Sequence, residues 1–443
     1  MNEKIVKISK IDETKIDFKS INISIPASKS YLNRALILSS SQKTTLLTNV
    51  GELCSDAKDM ITALQKVGIK IDLNEKNGCK NLVVNAKNGK FVAPKDGIIN
   101  CGLGGTTTRF ILGLSALFDF DITITAEGKM LERPVKEMFE FLQNIGKDIV
   151  FLGKDGCLPV VIKHKPLKNI KKIKLDGSKS SQFLTAILLV ADRLNIEEID
   201  VKNLVSKSYI NITLDVLKKS GIAFIHNTFE DKITYRISHT NKIINDEKLE
   251  IEIEKDFSSA SYFLALQYLF DVKNDMLKMP KKSSQGDAKF VNIIEKIREY
   301  SHKTDKTKPL ILDMKNMPDV SMTAMIICAL QGFTTKITGL KTLKIKECDR
   351  LTAMQNELKK VGIKTKITPS FDAITIYGRG DFTLKNKVEI DTYNDHRIAM
   401  CFAILGTKIG NLSIKNADVV NKSFPNFWQE LSKFGCVKID EKI

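Results

Sequence analysis

The chain has 443 residues, of which 43% are hydrophobic and 27% charged, with a formal charge of +17. That composition excludes intrinsic disorder, and no apolar run approaches the roughly 20 residues of a membrane helix. The length passes the roughly 250–300 residues at which single cores stop growing, so two domains are expected.

The excess charge admits nucleic acid, acidic surfaces or acidic small substrates as partners. Its make-up is uneven: 60 lysines stand against nine arginines. Lysine reads as compositional background, and the scarce arginines mark places where a planar, bidentate fork is needed.

In chain order, the first notable segment is Pro26-Ala27-Ser28-Lys29-Ser30-Tyr31-Leu32-Asn33-Arg34, followed by an apolar run. Ser28 can cap a helix, and Ser30 and Arg34, four apart, share a helical face. Free N–H groups beside two cations make an anion pocket; a solvated basic turn is the alternative. Cys101-Gly102-Leu103-Gly104-Gly105-Thr106-Thr107-Thr108-Arg109 is a glycine-rich helix entry suited to phosphate or carboxylate, but not a Walker loop. Asp176-Gly177-Ser178-Lys179-Ser180-Ser181-Gln182-Phe183 gathers more hydroxyls than one cap uses.

Further along, Asn316-Met317-Pro318-Asp319 places a carboxylate after proline at a strand end. In Lys344-Ile345-Lys346-Glu347-Cys348-Asp349-Arg350, Lys346 and Arg350 share a face with Glu347 beside them, and an amphipathic helix continues to Gly362. Asp391-Thr392-Tyr393-Asn394-Asp395-His396-Arg397 enters an apolar run, and Lys422 precedes the last helix. Taken singly, each segment has an ordinary explanation as a cap, a turn or a surface salt-bridge network. Together, three helix starts carry Lys or Arg where the dipole disfavours cations, and local rule-breaking of this kind marks functional sites. Five of the nine arginines (Arg34, Arg109, Arg133, Arg350 and Arg397) lie in these segments or in the Glu132-Arg133-Pro134 turn, which points to anionic substrates held by forked hydrogen bonds.

A weak internal repeat runs through the same chain. Apolar helical stretches end in Leu-x-x-x-Gly before an alternating strand at Leu64–Gly68, Leu142–Gly146, Leu217–Gly221, Leu358–Gly362 and Leu431–Gly435, with a degenerate sixth at Ile297–Ser301. In each, Gly fits a left-handed C-cap. The spacing is too long for a solenoid and predicts two similar α/β domains of three units each. The charged stretch Asp246 to Lys255 is the expected site of one crossing between them.

Eight cysteines without a C-x-x-C pair, and no secretory signal pattern, predict reduced thiols and a cytoplasmic protein. Five scattered histidines predict no metal site.

These segments, in this order, resemble the 5-enolpyruvylshikimate-3-phosphate synthase (3-phosphoshikimate 1-carboxyvinyltransferase) family. The matching stretches are SKSYLNR, GGTTTR, ERP, DGSKSSQF, SKSYI at 206–210, DFSSASYF at 256–263, SSQGD at 283–287, MPD, KECDR, YNDHRIAMCF and NKSFPNF, spanning positions 28 to 427. The resemblance implies an inside-out α/β barrel, the enolpyruvyl transferase fold: two similar domains each of three βαβαββ repeats. Residues 28–252 would form the N-terminal-type domain, and 1–27 with 253–443 the discontinuous C-terminal-type domain, with the active site in the cleft between them and closure on ligand binding. It implies transfer of the carboxyvinyl group of phosphoenolpyruvate to the 5-hydroxyl of shikimate 3-phosphate, with release of phosphate and no metal or organic cofactor. Two phosphomonoesters of about −1.5 to −2 each, plus two carboxylates, demand a cation-rich site.

Residue by residue, the resemblance implies that Lys29, Ser30, Arg34, Ser180, Ser181, Gln182, Ser206, Tyr209, Asp319 and Lys346 contact shikimate 3-phosphate. Lys29, Gly105, Lys129, Gln182, Arg350, Arg397 and Lys422 would contact phosphoenolpyruvate. Asp319 would take the hydroxyl proton, Glu347 would protonate and later deprotonate the methylene carbon, and Lys29 would assist. Gly105 implies a glyphosate site. The sequence departs from the family pattern at Ala27, Leu103 and Thr342. It also departs at Lys129, which stands where the family has arginine if Glu132-Arg133-Pro134 is the anchor, and Arg133 is the fallback. The sister family acting on UDP-N-acetylglucosamine carries a reactive-turn cysteine that Gly128–Pro134 lacks. A nucleic-acid binder would explain the charge but not the ordered motifs, so a monomeric enzyme with no nucleic-acid or membrane partner is expected.

Overall fold

The computed structural model describes residues 4–76, 78–86, 89–238 and 249–441. The chain divides into two compact units, Met1–Pro26 with Lys255–Ile443, and Ala27–Glu254. Of the stretch Asp246 to Lys255, residues 246–248 lie outside the described residues. The boundaries fall one and two residues from positions 28 and 252 because the return strand continues to pair: the Ile253 N–H reaches Thr48 O and the Ser28 N–H reaches Glu254 O.

In the unit 27–254 the helices are α1 (Lys29–Ser39), α2 (Ser55–Lys66), α3 (Gly105–Leu114), α4 (Lys136–Asn144), α5 (Ser181–Ala191) and α6 (Ser208–Lys219). They come in two kinds. The helices α1, α3 and α5 are almost wholly buried, each with a polar first turn or two followed by an apolar run. By contrast α2, α4 and α6 are amphipathic and bury one stripe. Gly113 lets α3 and α5 touch, since a Cβ there would sit 2.8 Å from Ala186 O.

Three four-stranded sheets surround these helices. One takes Ile98–Asn100, Ile122–Thr125, Val160–Lys163 and Asp148–Phe151 in that spatial order, the first pair parallel and the others antiparallel. A second repeats the order with Lys172–Asp176, Glu198–Lys202, Lys232–Ser238 and Ala223–Phe229. The third is completed by the returning strand Leu249–Glu252, parallel to Thr44–Thr48. Strand burial alternates, one face on the helices and one on water, as half-covered sheets require.

The other unit holds α7 (Phe257–Leu269), α8 (Phe290–Ser301), α9 (Ser321–Ala329), α10 (Arg350–Lys360), α11 (His396–Ile409) and α12 (Phe427–Ser432). Here α7, α9 and α11 are the buried set. Two sheets have the same order: Leu310–Asp313, Thr334–Thr338, Ala373–Tyr377, Lys364–Ile367; and Val388–Ile390, Leu412–Ile414, Lys4–Ile8, Val437–Glu441. The expected sixth unit keeps α7 and α8 but shows no four-stranded ladder among the described residues. Its extended stretch Ile21–Ile25 buries alternate residues, yet is held by isolated bonds such as Ile23 N–H to Met276 O.

The repeat read from the sequence explains this difference. Gly68, Gly146, Gly221, Gly362 and Gly435 follow α2, α4, α6, α10 and α12 with φ between +63° and +107°, which L residues rarely adopt. The five glycines accompany the five sheets. The degenerate Ile297–Ser301 ends α8 without such a residue, and the next described strand, Leu310–Asp313, already belongs to the following sheet.

Candidate active site

In the unit 27–254, most of the predicted residues lie at or just ahead of the starts of α1, α3, α5 and α6. Ser28 caps α1 by accepting the Tyr31 N–H, and Ser180 caps α5 by accepting the Gln182 N–H. Neither α1, α3 nor α5 has an acid in its first turn. The dipole ends of α1 and α5 thus carry no acid of their own, while at α3 the Asp56 carboxylate already lies beside Gly104.

Arg34 is 2% exposed and its hydrogen bonds go to neutral oxygens. Its Nε donates to Thr213 Oγ1 (2.8 Å), Nη1 to Ser30 O (2.6 Å), and Nη2 to Tyr209 O (3.3 Å) and Thr185 Oγ1 (3.4 Å). Burial pushes this guanidinium below its ordinary pKa. A buried cation paired only with dipoles is costly, and an arriving carboxylate or phosphate relieves that cost. The same bonds bring Ser30 and Tyr209 together. Ser206, at φ 50°, is buried just ahead of α6, and its carbonyl accepts the Tyr209 N–H.

Lys29 reaches Asp56 on α2, Nζ to Oδ2 2.9 Å, while Thr107 of α3 donates to Asp56 O. Beside this, Gln182 Oε1 accepts from Arg109 Nη1 (2.5 Å) and its Nε2 donates to Thr106 Oγ1 (3.1 Å). Gly105 opens α3 in the same cluster. A Cβ there would meet Arg109 Nη1 at 2.8 Å and Arg133 Nη1 at 3.0 Å, so the missing side chain is what leaves room between two guanidiniums. Arg133, not Lys129, stands beside Gly105: Lys129 is exposed in the short turn Gly128–Leu131. Ser181 is buried at the start of α5.

In the other unit, cations and carboxylates interlock. Asp319 ends the turn that leads into α9 and receives Arg397 Nη2 (3.0 Å) on one oxygen, and Arg350 Nη1 (3.2 Å) and Lys346 Nζ (3.3 Å) on the other. Arg350, 1% exposed, also gives Nη2 to Glu347 (2.8 Å) and Nε to Asp395 (2.7 Å). Lys422 approaches Glu347 at 3.6 Å. Asp395 caps α11 by accepting the Arg397 N–H.

Burial alone would raise the Asp319 carboxyl, but Arg397, Lys346 and Arg350 outweigh it and hold it well below its ordinary value. Burial likewise pushes Lys346 down. Burial would lower Arg350, but Asp395, Glu347 and Asp319 reverse that. Asp287, 3% exposed and hydrogen-bonded to Ser258, is pushed up to about 7 by burial and then by the Asp319 charge.

Sequence reasoning passed over Asp56, Asp287 and Asp395 as site residues, and noted Arg109 only as one of five grouped arginines. Asp395 had a signal, being followed two positions later by Arg397; Asp56 and Asp287 pair across distant segments and had none. Among the described residues no group of three or more His, Cys, Asp or Glu could hold a metal ion, and no helix is long and apolar enough to cross a membrane.

Comparison with known proteins places this geometry. The model of the family EPSP synthase (3-phosphoshikimate 1-carboxyvinyltransferase) matches residues 17–431. A 3-phosphoshikimate 1-carboxyvinyltransferase of Psychromonas ingrahamii is 33% identical, covering 94% of this chain and 96% of its own. One from Buchnera aphidicola subsp. Baizongia pistaciae is 35% identical over 92% and 95%. Among solved structures, an EPSP synthase from Acinetobacter baumannii superposes with a TM-score of 0.72 at 22% identity, covering 99% of this chain and 100% of its own. The enolpyruvyl transferase NikO from Streptomyces tendae reaches 0.68 at 10% identity over the whole of both chains. These two share the fold.

Proposed function

This chain belongs to the EPSP synthase (3-phosphoshikimate 1-carboxyvinyltransferase) family, and from that premise we propose how its residues divide the work. The reaction moves the carboxyvinyl group of phosphoenolpyruvate onto the 5-hydroxyl of shikimate 3-phosphate and releases phosphate. The observation that carries the assignment of roles is the convergence of Arg350, Arg397 and Lys346 on one carboxylate, Asp319, with Glu347 bonded to the same Arg350.

The unit 27–254 supplies recognition. Arg34, Ser30, Tyr209, Ser180, Ser181, Gln182 and Ser206 take shikimate 3-phosphate, whose carboxylate and phosphate match a buried guanidinium and open helix starts. Lys29 assists proton transfer from beside Asp56. Gly105 offers space for phosphoenolpyruvate between guanidiniums, with Arg133 rather than the exposed Lys129 as the second fork. A glyphosate molecule, itself an anion, fits the same place and would compete with phosphoenolpyruvate.

The other unit supplies chemistry. Arg350, Arg397 and Lys422 hold phosphoenolpyruvate. Asp319 takes the hydroxyl proton as the oxygen attacks the substituted vinyl carbon. Glu347 delivers a proton to the methylene carbon, then removes one as phosphate leaves, so the carboxyvinyl group is restored, and the hydroxyl proton held by Asp319 departs with the phosphate. Two carboxylates suit two opposed proton transfers. Asp319 alone is a weak base while three cations face it. An anion bound by Arg397 and Arg350 shares their field, which raises the Asp319 pKa when the substrate is present.

Eight free cysteines support a reducing, cytoplasmic setting, and no step needs a metal or cofactor. The test is phosphate release with both substrates and with each omitted. Release requiring both is expected; release with one alone overturns the reading.

A further inference from the structure

Arg350, Arg397 and Lys422, assigned above to phosphoenolpyruvate, lie on three segments. One turn touches all three. Residues 391–395 link the strand Val388–Ile390 to α11 and contain two consecutive non-glycine residues in the left-handed region, Tyr393 at φ 53° and Asn394 at φ 56°. Each such residue costs on the order of 1 kcal/mol or more and persists only where its surroundings over-determine it.

Lys360 and Lys415 pair with Asp391 at one end of the turn, and Glu357 binds it at two points. This glutamate lies two turns along α10 from Arg350 and is fully buried, and both its oxygens are spent on the turn. Oε1 accepts the Tyr393 hydroxyl at 2.8 Å and Oε2 accepts the Asp391 N–H at 3.1 Å. Lys360, one turn further on, balances its charge at 2.7 Å. From the other side, Asn416 Nδ2 donates to Asn394 Oδ1 at 2.6 Å, and Asn416 opens the short helix Ala417–Lys422. What leaves the turn is Asp395, which grips Arg350 and caps α11, and two residues later Arg397.

We propose that Glu357 and Tyr393 are positioning residues for phosphoenolpyruvate: by holding the Tyr393–Asn394 turn they fix Asp395 and Arg397 against Arg350. They touch none of the groups assigned to the chemistry. The helix that presents Arg350 at its start thus also anchors, through Glu357, the turn that presents Arg397. The forked donors keep one mutual geometry because they share one frame, and a misplacement of about 1 Å is enough to cost catalysis. The inference rests on the assignment of phosphoenolpyruvate to Arg350 and Arg397.

The test is steady-state kinetics on Tyr393→Phe. Tyr393 is 37% exposed, so phenylalanine fits without a cavity and only the hydroxyl is lost. The expected result is a phosphoenolpyruvate KM raised about five- to tenfold, a shikimate 3-phosphate KM changed less than twofold, and a Tm within a few degrees of wild type. Glu357→Gln, whose amide turns a donor toward either the Tyr393 hydroxyl or the Asp391 N–H, should show the same split more strongly. An unchanged phosphoenolpyruvate KM in Tyr393→Phe overturns the inference. Equal rises in both KM values, tracking a fall in Tm, overturn it too, because they signal a merely structural bond. A wild type that turns over neither substrate overturns the underlying assignment, and the inference with it.

Discussion

The two units build the same kind of buried helix but start it differently. In the unit 27–254 the inner helices begin at Ser28, Gly104 and Ser180, all neutral. In the other unit α7 and α11 begin at Asp256 and Asp395, and Asp319 stands just ahead of α9. A neutral cap satisfies a backbone donor and leaves the dipole free for a ligand. An aspartate cap occupies the dipole with a carboxylate of the protein itself, and at Asp395 that carboxylate also binds Arg350. One unit is therefore open to anions, and the other is a prepaid ion network in which a carboxylate can be tuned.

The largest test of that contrast is Asp319→Asn. Removing the proposed base should lower kcat on the order of a thousandfold, while shikimate 3-phosphate binding, measured by calorimetry, changes little. A loss of binding with kcat intact would erase the division of labour.

Next comes a matched pair of arginine substitutions. Arg350→Met takes the arginine from buried Asp395 and one cation each from Asp319 and Glu347, so denaturant unfolding should show a loss of about 3–5 kcal/mol. Arg34→Met strands no carboxylate among the described residues. It should cost no stability, or gain up to about 1 kcal/mol, yet raise the shikimate 3-phosphate KM about 100-fold. Similar stability losses in the two would show that the units are alike after all.

A smaller effect separates Arg133 from Lys129. Arg133→Ala should raise the phosphoenolpyruvate KM about tenfold and Lys129→Ala less than twofold. The reverse ranking would return the role to Lys129.

A pH slope gives a separate test. The Asp287 carboxyl, raised to about 7 in the fold from 3.8, binds its proton more tightly folded than unfolded. Its stabilising contribution is complete below about pH 4 and is lost as pH rises through about 7. Asp287→Asn should flatten the stability profile over that window, as read by Tm against pH.

Much of this was legible from the chain because it was local. The Leu-x-x-x-Gly endings need a left-handed residue within one turn of the helix, and that requirement is written at a single position. The arginine count was also informative. Arg34, Arg109, Arg350 and Arg397 are buried, at 2%, 6%, 1% and 6% exposure. Arg236 and Arg298, by contrast, serve surface ion pairs with Glu198 and Glu295. What was not legible was pairing across distance. Asp56 meets Lys29 from 27 residues away and Asp395 meets Arg350 from 45 away, and neither partner's neighbourhood betrays the other. The choice between Lys129 and Arg133 depends on how one short turn folds, which spacing alone left open. The sixth repeat was visible as degenerate, but not as lacking its ladder.

The strand Lys4–Ile8 sits between Leu412–Ile414 and Val437–Glu441, in the interior of its sheet. During synthesis it emerges before the unit 27–254 and waits about 400 residues for its neighbours, while that unit can close as soon as Leu249–Glu252 has returned to Thr44–Thr48. Folding is thus staged by the order of translation: the middle of the chain matures first, and the leading end stays uncommitted until the trailing end arrives. A lesion at the leading end would be felt by the later unit, and the earlier one would fold without noticing it.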